Sequence, residues 1–295
     1  MKVVLAGSSG GVGQAILAYA LEHTSHTLLC LDKALPASSP ERAVDPHLHA
    51  HRVEHRAVDL LDYRAYAAAL QGADGLIHLA GIPGLIKDKW SDGESAALVH
   101  NTNVQLSFNA LQAAAEAGVK AVAMAGSINA IGGVYSPHEP QYDFFPIDET
   151  HPIKAADAYS LSKAIVELQG DAVSRAYPAL TITTLRLHHV VPQKTIPAEW
   201  VARAGRDLWG WVNDASAARA FLLALEREGG GHEVVNIVGD SHRAEGHDAR
   251  VLASTYHPLA EIRGQVGGDS PFYTSEKAER VLGWRHEGGR MPKKE

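Results

Sequence analysis

The sequence is poor in sulfur: its 295 residues include one cysteine, Cys30, and three methionines. A single cysteine excludes an intramolecular disulfide and suits a reducing compartment, so the expected location is cytoplasmic. Basic blocks are also missing. Lys and Arg number 27 against 34 Asp and Glu, a net charge of −7 with histidine neutral, which makes nucleic acid and anionic membrane poor partners. No apolar run approaches the roughly 18 residues that a membrane span needs. The opening MKVVLAGSSGGVGQAILAYAL has the lysine, apolar residues and small-residue end of a secretory signal, but its glycines interrupt the pattern and favour a strand followed by a turn. What the chain does have is 45% hydrophobic residues, enough for a core in one large α/β domain or in a main domain with a smaller lobe.

Short apolar runs alternate with longer helical patterns. The runs are VVLAG (3–7), TLLCLD (27–32), EHRAVDL (54–60), GLIHLAG (75–81), VKAVAMAGS (119–127) and LTITTLRL (180–187). Helical stretches fall at 11–23, 62–71, 94–117 and 157–177. Strands separated in this way imply βαβ crossovers and a doubly wound parallel sheet of the α/β class. The strands are near-continuous in Val, Leu, Ile and Ala, as expected when helices cover both sheet faces. After residue 188 the rhythm changes: Pro192, Pro197, the turn LWGWV (208–212), a helix near 214–228 and a strand EVVNIVG (233–239). The expected organisation is a nucleotide-binding domain over 1–187 and a small substrate-side lobe over 188–295, interleaved with the main sheet. Residues 33–53 are expected to form a loop.

Gly7, Gly10 and Gly13 fall in GSSGGVG, directly after the first strand and around the helix-opening Gly11 and Val12. Glycine there permits a tight turn, lets backbone N–H groups approach a pyrophosphate at the helix N-terminus, and brings helix and sheet close. A turn without function would leave the next feature unexplained. Asp32 closes the second strand 19 residues beyond Gly13, where a carboxylate accepts hydrogen bonds from the adenosine ribose and repels a 2′-phosphate. NAD is therefore expected over NADP, with Lys33 softening the preference. Asp59 in VDLLD has two readings, a contact to the adenine amino group or the N-cap of the next helix.

YSLSK (159–163) places Tyr159 and Lys163 four residues apart on one helix face. A free tyrosine, with a pKa near ~10, is a poor base at neutral pH, whereas a nearby ammonium favours its phenolate and makes it a general acid/base. The same spacing also describes an ordinary polar pair on a solvated helix. Ser127, which closes the fifth strand in MAGSINAIGG, gives the pair a third member.

Taken together, these features resemble the extended short-chain dehydrogenase/reductases, and within them the NAD-dependent epimerase/dehydratase family with its Rossmann fold. The motifs that carry the resemblance span nearly the whole chain: GSSGGVG, HLAG (78–81), NVQLSFNAL (103–111), AGSINAIGG, YSLSK, LRLHHVVP (185–192) and TSEKAERVLGW (274–284). The resemblance implies that Ser127 hydrogen-bonds the reacting oxygen, that Tyr159 exchanges its proton, and that Lys163 holds the nicotinamide ribose while lowering the tyrosine pKa. It implies that Asn103 supports cofactor or proton-relay geometry and that Leu60, Leu79, Ala80 and Gly81 border the cofactor. The implied chemistry is hydride transfer between a carbinol carbon and nicotinamide C4. A homodimer through the 94–117 and 157–177 helices is likewise implied.

Sugar-nucleotide dehydratases of this family carry an acidic pair after the serine or threonine, where this chain has Ile128 and Asn129, so elimination chemistry is not expected. Epimerases use the same three residues but usually carry a larger C-terminal lobe. A nearer resemblance is to the uronate dehydrogenases, which oxidise the anomeric carbon of a sugar acid to a lactone with NAD. Arg206 in RDLWGW matches a substrate-contacting arginine there, able to grip a carboxylate bidentately; a surface arginine is the other reading. The match is partial: those enzymes have Ser-Asn-His where this chain has Ser127, Ile128 and Asn129, and Ser216 replaces an acidic residue. Asn129 is a candidate for selecting the substrate's hydroxyl pattern. His188 and His189 fall beside the nicotinamide position, to bind substrate or titrate near neutrality, or else to bond backbone. The aromatic, acidic loop at 142–152 is expected either to rim the site or to pack as a surface loop.

HLHAHRVEH offers His47, His49, His51 and His55 in metal-like alternation, but it lies far from the expected reacting carbon and lacks a carboxylate or cysteine partner, so no functional metal is expected. Three hypotheses remain: an NAD-dependent dehydrogenase acting on a sugar, sugar acid or polyol; a sugar epimerase; and a non-catalytic NAD(P)-binding sensor.

Overall fold

The computed structural model describes residues 1–34, 51–83, 93–192 and 196–287. Strands β1 (Lys2–Ala6), β2 (Thr27–Asp32), β3 (Val53–Ala57), β4 (Gly75–His78) and β5 (Ala121–Ala125) come first, followed by the short β6 (Phe144–Phe145). Then follow β7 (Thr181–Leu187), β8 (Gly231–Ile237) and the short β9 (Glu261–Ile262). Helices α1 (Gly11–His23), α2 (Tyr63–Ala69), α3 (Gly93–Glu116), α4 (Ala158–Ala176), α5 (Asp214–Glu226), α6 (Ala249–Tyr256) and α7 (Glu276–Leu282) alternate with them.

Seven strands form one sheet in the order β3-β2-β1-β4-β5-β7-β8, with all neighbours parallel. The chain winds outward from β1 to β3, then returns to place β4 on the other side of β1: Val3 is paired with both Leu28 and Gly75. The strand order reverses between β1 and β4, and the crevice beyond the carboxyl ends of these strands is where open α/β sheets bind ligands. Helices α1, α5 and α7 cover one face, and α2, α3 and α4 the other. Hence the central strands are buried on both sides and read as unbroken apolar runs. Asp62, Asp157, Asn213 and Asp248 accept backbone N–H bonds at the starts of α2, α4, α5 and α6, which sets where each helix begins.

The third strand is shorter than its sequence reading. β3 is a sheet edge whose side chains are mostly exposed, and Leu60, beyond its end, turns into the α2–α3 core. The C-terminal third serves both layers: β8 extends the sheet and α5 backs it, while α6 and the β6–β9 pair gather around Tyr142, Phe145, Trp209 and Phe272 in a second core. The 142–152 loop is part of this packing. Tyr142, Phe144, Phe145 and Ile147 are buried, so the loop supports the lobe from within. Among the described residues no helix is long and apolar enough to cross a membrane.

Candidate functional site

The nucleotide side is built from backbone. Gly7 has φ +86°, and a Cβ there would lie 2.7 Å from the Ala80 nitrogen, so only glycine lets the turn meet the end of β4. A Cβ on Gly13 would fall 2.5 Å from the Gly7 carbonyl oxygen, which fixes the close approach of α1 to its own turn. Gly10 differs: a Cβ would meet only the Gly7 oxygen, at 3.5 Å. Among the described residues nothing requires glycine at Gly10, the N-cap of α1, which has no side-chain cap hydrogen bond. That leaves a cradle a side chain would fill, with the first-turn N–H groups of Gly11, Val12 and Gly13 free of a cap, and it fits a pyrophosphate.

Asp32, at the tip of β2, accepts hydrogen bonds from the Ser9 N–H at 2.9 Å and the Lys33 N–H at 2.7 Å, binding the glycine turn to the strand end. Asp59 accepts from the Leu61 N–H at 3.1 Å in a local turn; the N-cap of α2 is Asp62, so the capping alternative for Asp59 does not hold. Leu60 buries its side chain in the core, leaving its backbone as the only part able to face a cofactor. Val12, Leu79 and Gly81 line the cleft, and Ala80 supports Gly7. Asn103 clamps the segment after β4: its Oδ1 accepts from the Ile82 N–H at 2.7 Å, and its Nδ2 donates to the Ile82 carbonyl at 3.0 Å and to Ser162 Oγ at 3.3 Å. It acts as a positioning residue for the cleft wall.

Ser127, Tyr159 and Lys163 converge on one cleft of about 550 Å³. Asp157 caps α4, accepting from the Ser160 N–H at 2.8 Å, and so places Tyr159 in the helix's first turn. Lys163, one turn on, has its Nζ 5.7 Å from the centre of the Tyr159 ring and donates to the Ala125 carbonyl at 2.8 Å. Ser127 accepts from the Asn129 N–H at 3.1 Å and from Asn129 Nδ2 at 3.3 Å. A hydroxyl has two acceptor sites and one donor, so this pair commits the Ser127 O–H to donation. Ser127 and Tyr159 face the same cleft.

Burial, aided by Tyr135 and Asp157, pushes the Tyr159 phenol up to about 12, against the opposing pull of Ser127. Burial also pulls Lys163 down to about 8. In the chain alone the tyrosine is therefore held neutral. Lys163, whose Nζ is bonded to the Ala125 carbonyl, is not among the groups that shift the Tyr159 phenol here, so the lowering expected from the lysine is not seen and burial sets the direction.

The substrate side differs most from expectation. His188 is buried, its ring Nε2 donates to the Asp207 carbonyl at 2.8 Å, and Nδ1 accepts from the His189 N–H at 2.7 Å. Both nitrogens are engaged and burial pulls its pKa to about 3, so the backbone-bonded reading holds for His188 and titration near neutrality does not. His189 faces the cleft, its pKa lowered by burial and by Arg243. Arg206 is committed: it pairs with Glu139 at 2.8 Å and donates to the carbonyls of Ser136 at 2.6 Å and His138 at 2.9 Å. Its guanidinium holds a loop and is not free to grip a carboxylate. Asn129 is largely buried and lines the cleft beside Ser127.

Three residues that the sequence did not mark stand in this wall. Tyr135 meets the Tyr159 ring edge-on at 5.2 Å. Half-buried Asp207 is pushed up to about 6 by burial, against the opposing pull of Arg243. Arg243 itself is buried near them. Asp207 leads into a strained turn, with Leu208 at φ 58° and Trp209 at φ 52°, held by the Trp209 ring N–H on the Val201 carbonyl at 2.6 Å. His51 and His55 are described and His47 and His49 lie outside the described residues; among the described residues no group of three or more His, Cys, Asp or Glu is placed to hold a metal ion.

A glycine turn at the β1–β4 crevice joined to a Ser, Tyr and Lys cluster at the end of β5 defines a Rossmann-like α/β protein. The profile of the NAD dependent epimerase/dehydratase family matches residues 3–238, and the chain belongs to that family. Among solved structures it is similar to a mutated uronate dehydrogenase, at 21% identity and TM-score 0.65, covering 98% of this chain and 82% of that one. It is similar to UDP-glucose 4-epimerase from Bifidobacterium longum in complex with NAD+ and UDP, at 18% identity and TM-score 0.70, covering 98% and 95%. The dTDP-glucose 4,6-dehydratase DesIV from Streptomyces venezuelae, with NAD bound, matches at 21% identity and TM-score 0.68, covering 98% and 93%. At these identities the likeness establishes the fold. No curated protein sequence gives a significant match.

Proposed function

We propose that the protein is an NAD-dependent dehydrogenase that moves a hydride between nicotinamide and a carbinol carbon of a sugar, sugar acid or polyol. The observation that carries this reading is the meeting of a committed Ser127 donor, Tyr159 and Lys163 in one cleft beside the glycine turn. A bound oxidised nicotinamide supplies the hydride acceptor. Ser127 donates to the substrate oxygen, Tyr159 takes the hydroxyl proton as the hydride leaves carbon, and Lys163 supplies positive charge behind the ring. Asp32 beside Ser9 favours NAD over NADP. The buried Ile128 and amide-bearing Asn129 next to Ser127 offer no acid or base for elimination, which removes dehydration from the proposal.

A homodimer fits the exposed apolar side chains Leu98 and Phe108 on α3 and Leu168 on α4. The reaction is tested by incubating the protein with NAD or NADP and a panel of aldoses, uronates and polyols. Net NADH is the expected product. Interconversion of sugars with no net NADH would replace the proposal with epimerisation, and Tyr159→Phe indistinguishable from wild type would favour a sensor.

A further inference from the structure

A second cavity, of about 480 Å³, adjoins the catalytic cleft and shares Val134, Tyr135, His189 and Asp207 with it. Among the described residues its charged lining comprises Arg203, Arg206, Arg243 and one carboxylate, Asp207. Arg206 is occupied by Glu139 and two carbonyls, and Arg203 is exposed. Arg243 differs from both. It is 7% exposed, and its Nε is buried with no hydrogen-bond partner among the described residues. Its backbone N–H donates to the Trp209 carbonyl at 2.8 Å, which fixes this residue to the strained turn after Asp207. Asp207 is itself partly engaged, its Oδ1 accepting from the Trp209 N–H at 3.1 Å.

A buried guanidinium Nε without a bonded acceptor is costly, Asp207 offsets the Arg243 charge only from a distance, and the planar fork suits a two-oxygen anion. We infer that Arg243 is the specificity-determining residue of this cavity, holding an oxyanion at the end of the substrate remote from the carbon that faces Tyr159. Arg206 is then a positioning residue, holding the 136–139 loop that closes the cavity. The inference rests on the proposed reading of the cleft as a site for a hydroxylated substrate, and it assigns that substrate an anionic class. The shared chemistry of a carboxylate and a phosphate leaves two sources for the anion.

The test is titration calorimetry of the full chain with saturating NADH, which cannot accept a hydride, using D-glucose, D-glucuronate and glucose 6-phosphate as probes. Wild type is expected to bind at least one anionic sugar about tenfold or more tightly than glucose, the stronger of the two identifying the anion. Arg243→Gln is expected to abolish that preference, and Arg243→Lys, which keeps the charge, to retain part of it; the Lys variant separates lost recognition from a damaged fold. Equal binding of neutral and anionic sugars by wild type, no binding of either anionic sugar, or an unchanged preference in Arg243→Gln would overturn the inference. Net NADH from neutral sugars alone would also overturn it while leaving the dehydrogenase standing; anion preference without turnover would do the reverse.

Discussion

The two sides of the cleft are built by different means. On the nucleotide side the decisive features are main-chain ones: the turn at Gly7, the close approach at Gly13, the bare N-terminus of α1 and an aspartate at a strand end. They depend on which residues lack a side chain, and they lie within 32 positions of the start. On the substrate side the wall is made of side chains from the 134–137 loop, His189, the 203–207 segment and Arg243, brought together by the second core and a strained turn. A site made of backbone tolerates few sequences and is constant in shape; a site made of distant side chains can change its ligand without changing the fold.

The largest expected effect lies where the two sides meet. Tyr159→Phe should lower kcat/KM about 10²–10⁴-fold while leaving NAD affinity within a factor of about two, because the ring stays and only the proton carrier goes. The intact enzyme should show the proton's signature: with the phenol held up to about 12, oxidation needs a form that is scarce at neutral pH, so its rate should climb as pH rises from about 6 to 8. Reduction uses the neutral phenol and should stay flat across that range. An oxidation rate independent of pH would show that Tyr159 is not the base.

Next in size is a pair of alanines that divides the backbone site into its structural and ligand parts. Gly13→Ala drives a Cβ to within 2.5 Å of the Gly7 oxygen and 2.8 Å of Ser8 Cα, both backbone, and should cost roughly 1–3 kcal/mol of stability along with NAD binding. Gly10→Ala meets nothing closer than 3.5 Å and should leave the unfolding temperature nearly unchanged while weakening NAD about tenfold. If both variants lost stability equally, the cradle would be a packing feature and not a phosphate site.

Lys163→Met should separate activity from stability. Burial lowers the folded lysine pKa from 10.5 to about 8, so the charged lysine penalises the fold fully below about pH 8, and the penalty fades as pH rises towards the unfolded value. The methionine variant should lose most activity yet gain about 1–3 kcal/mol at neutral pH by denaturant unfolding, with the gain shrinking above pH 9. A loss of stability would mean that the hydrogen bond to the Ala125 carbonyl outweighs the buried charge.

The contrast between the two sides also explains what could be read from the sequence. Helix α1 was legible to its ends because a glycine opens it and the apolar pattern stops at His23. The strand 27–32 was equally clear, being buried on both faces. The third strand ends before its sequence pattern suggests, because its edge position leaves polar side chains in the pairing segment, while the apolar Leu60 that follows serves the α2 core. Ser127, Tyr159 and Lys163 were visible through family-like spacing. Arg243 was not: in SHRAEG no local period marks it, and its burial depends on Trp209, 34 positions earlier, in a turn whose positive φ angles belong to no pattern. His188 misled because a histidine next to a strand end looks available, whereas the missing side chain of Gly210 lets the ring sit where a Cβ would be 2.4 Å away.

The smallest effect tests whether Asn129 belongs to the reaction or only to packing. Its two donors saturate the acceptor sites of Ser127, so the serine can only donate towards the substrate oxygen. Asn129→Ala keeps the backbone donor and removes the amide, freeing Ser127 to rotate and to present a lone pair instead. One neutral hydrogen bond of about 1 kcal/mol predicts a fall of roughly fivefold to tenfold, in kcat more than in KM, because the donor matters most as charge builds on the substrate oxygen. Asn129→Asp should be worse than Asn129→Ala, since a carboxylate would accept the Ser127 proton and turn the donor away from the substrate. If the aspartate matched wild type, Ser127 would not act as a donor, and Asn129 would belong to packing alone.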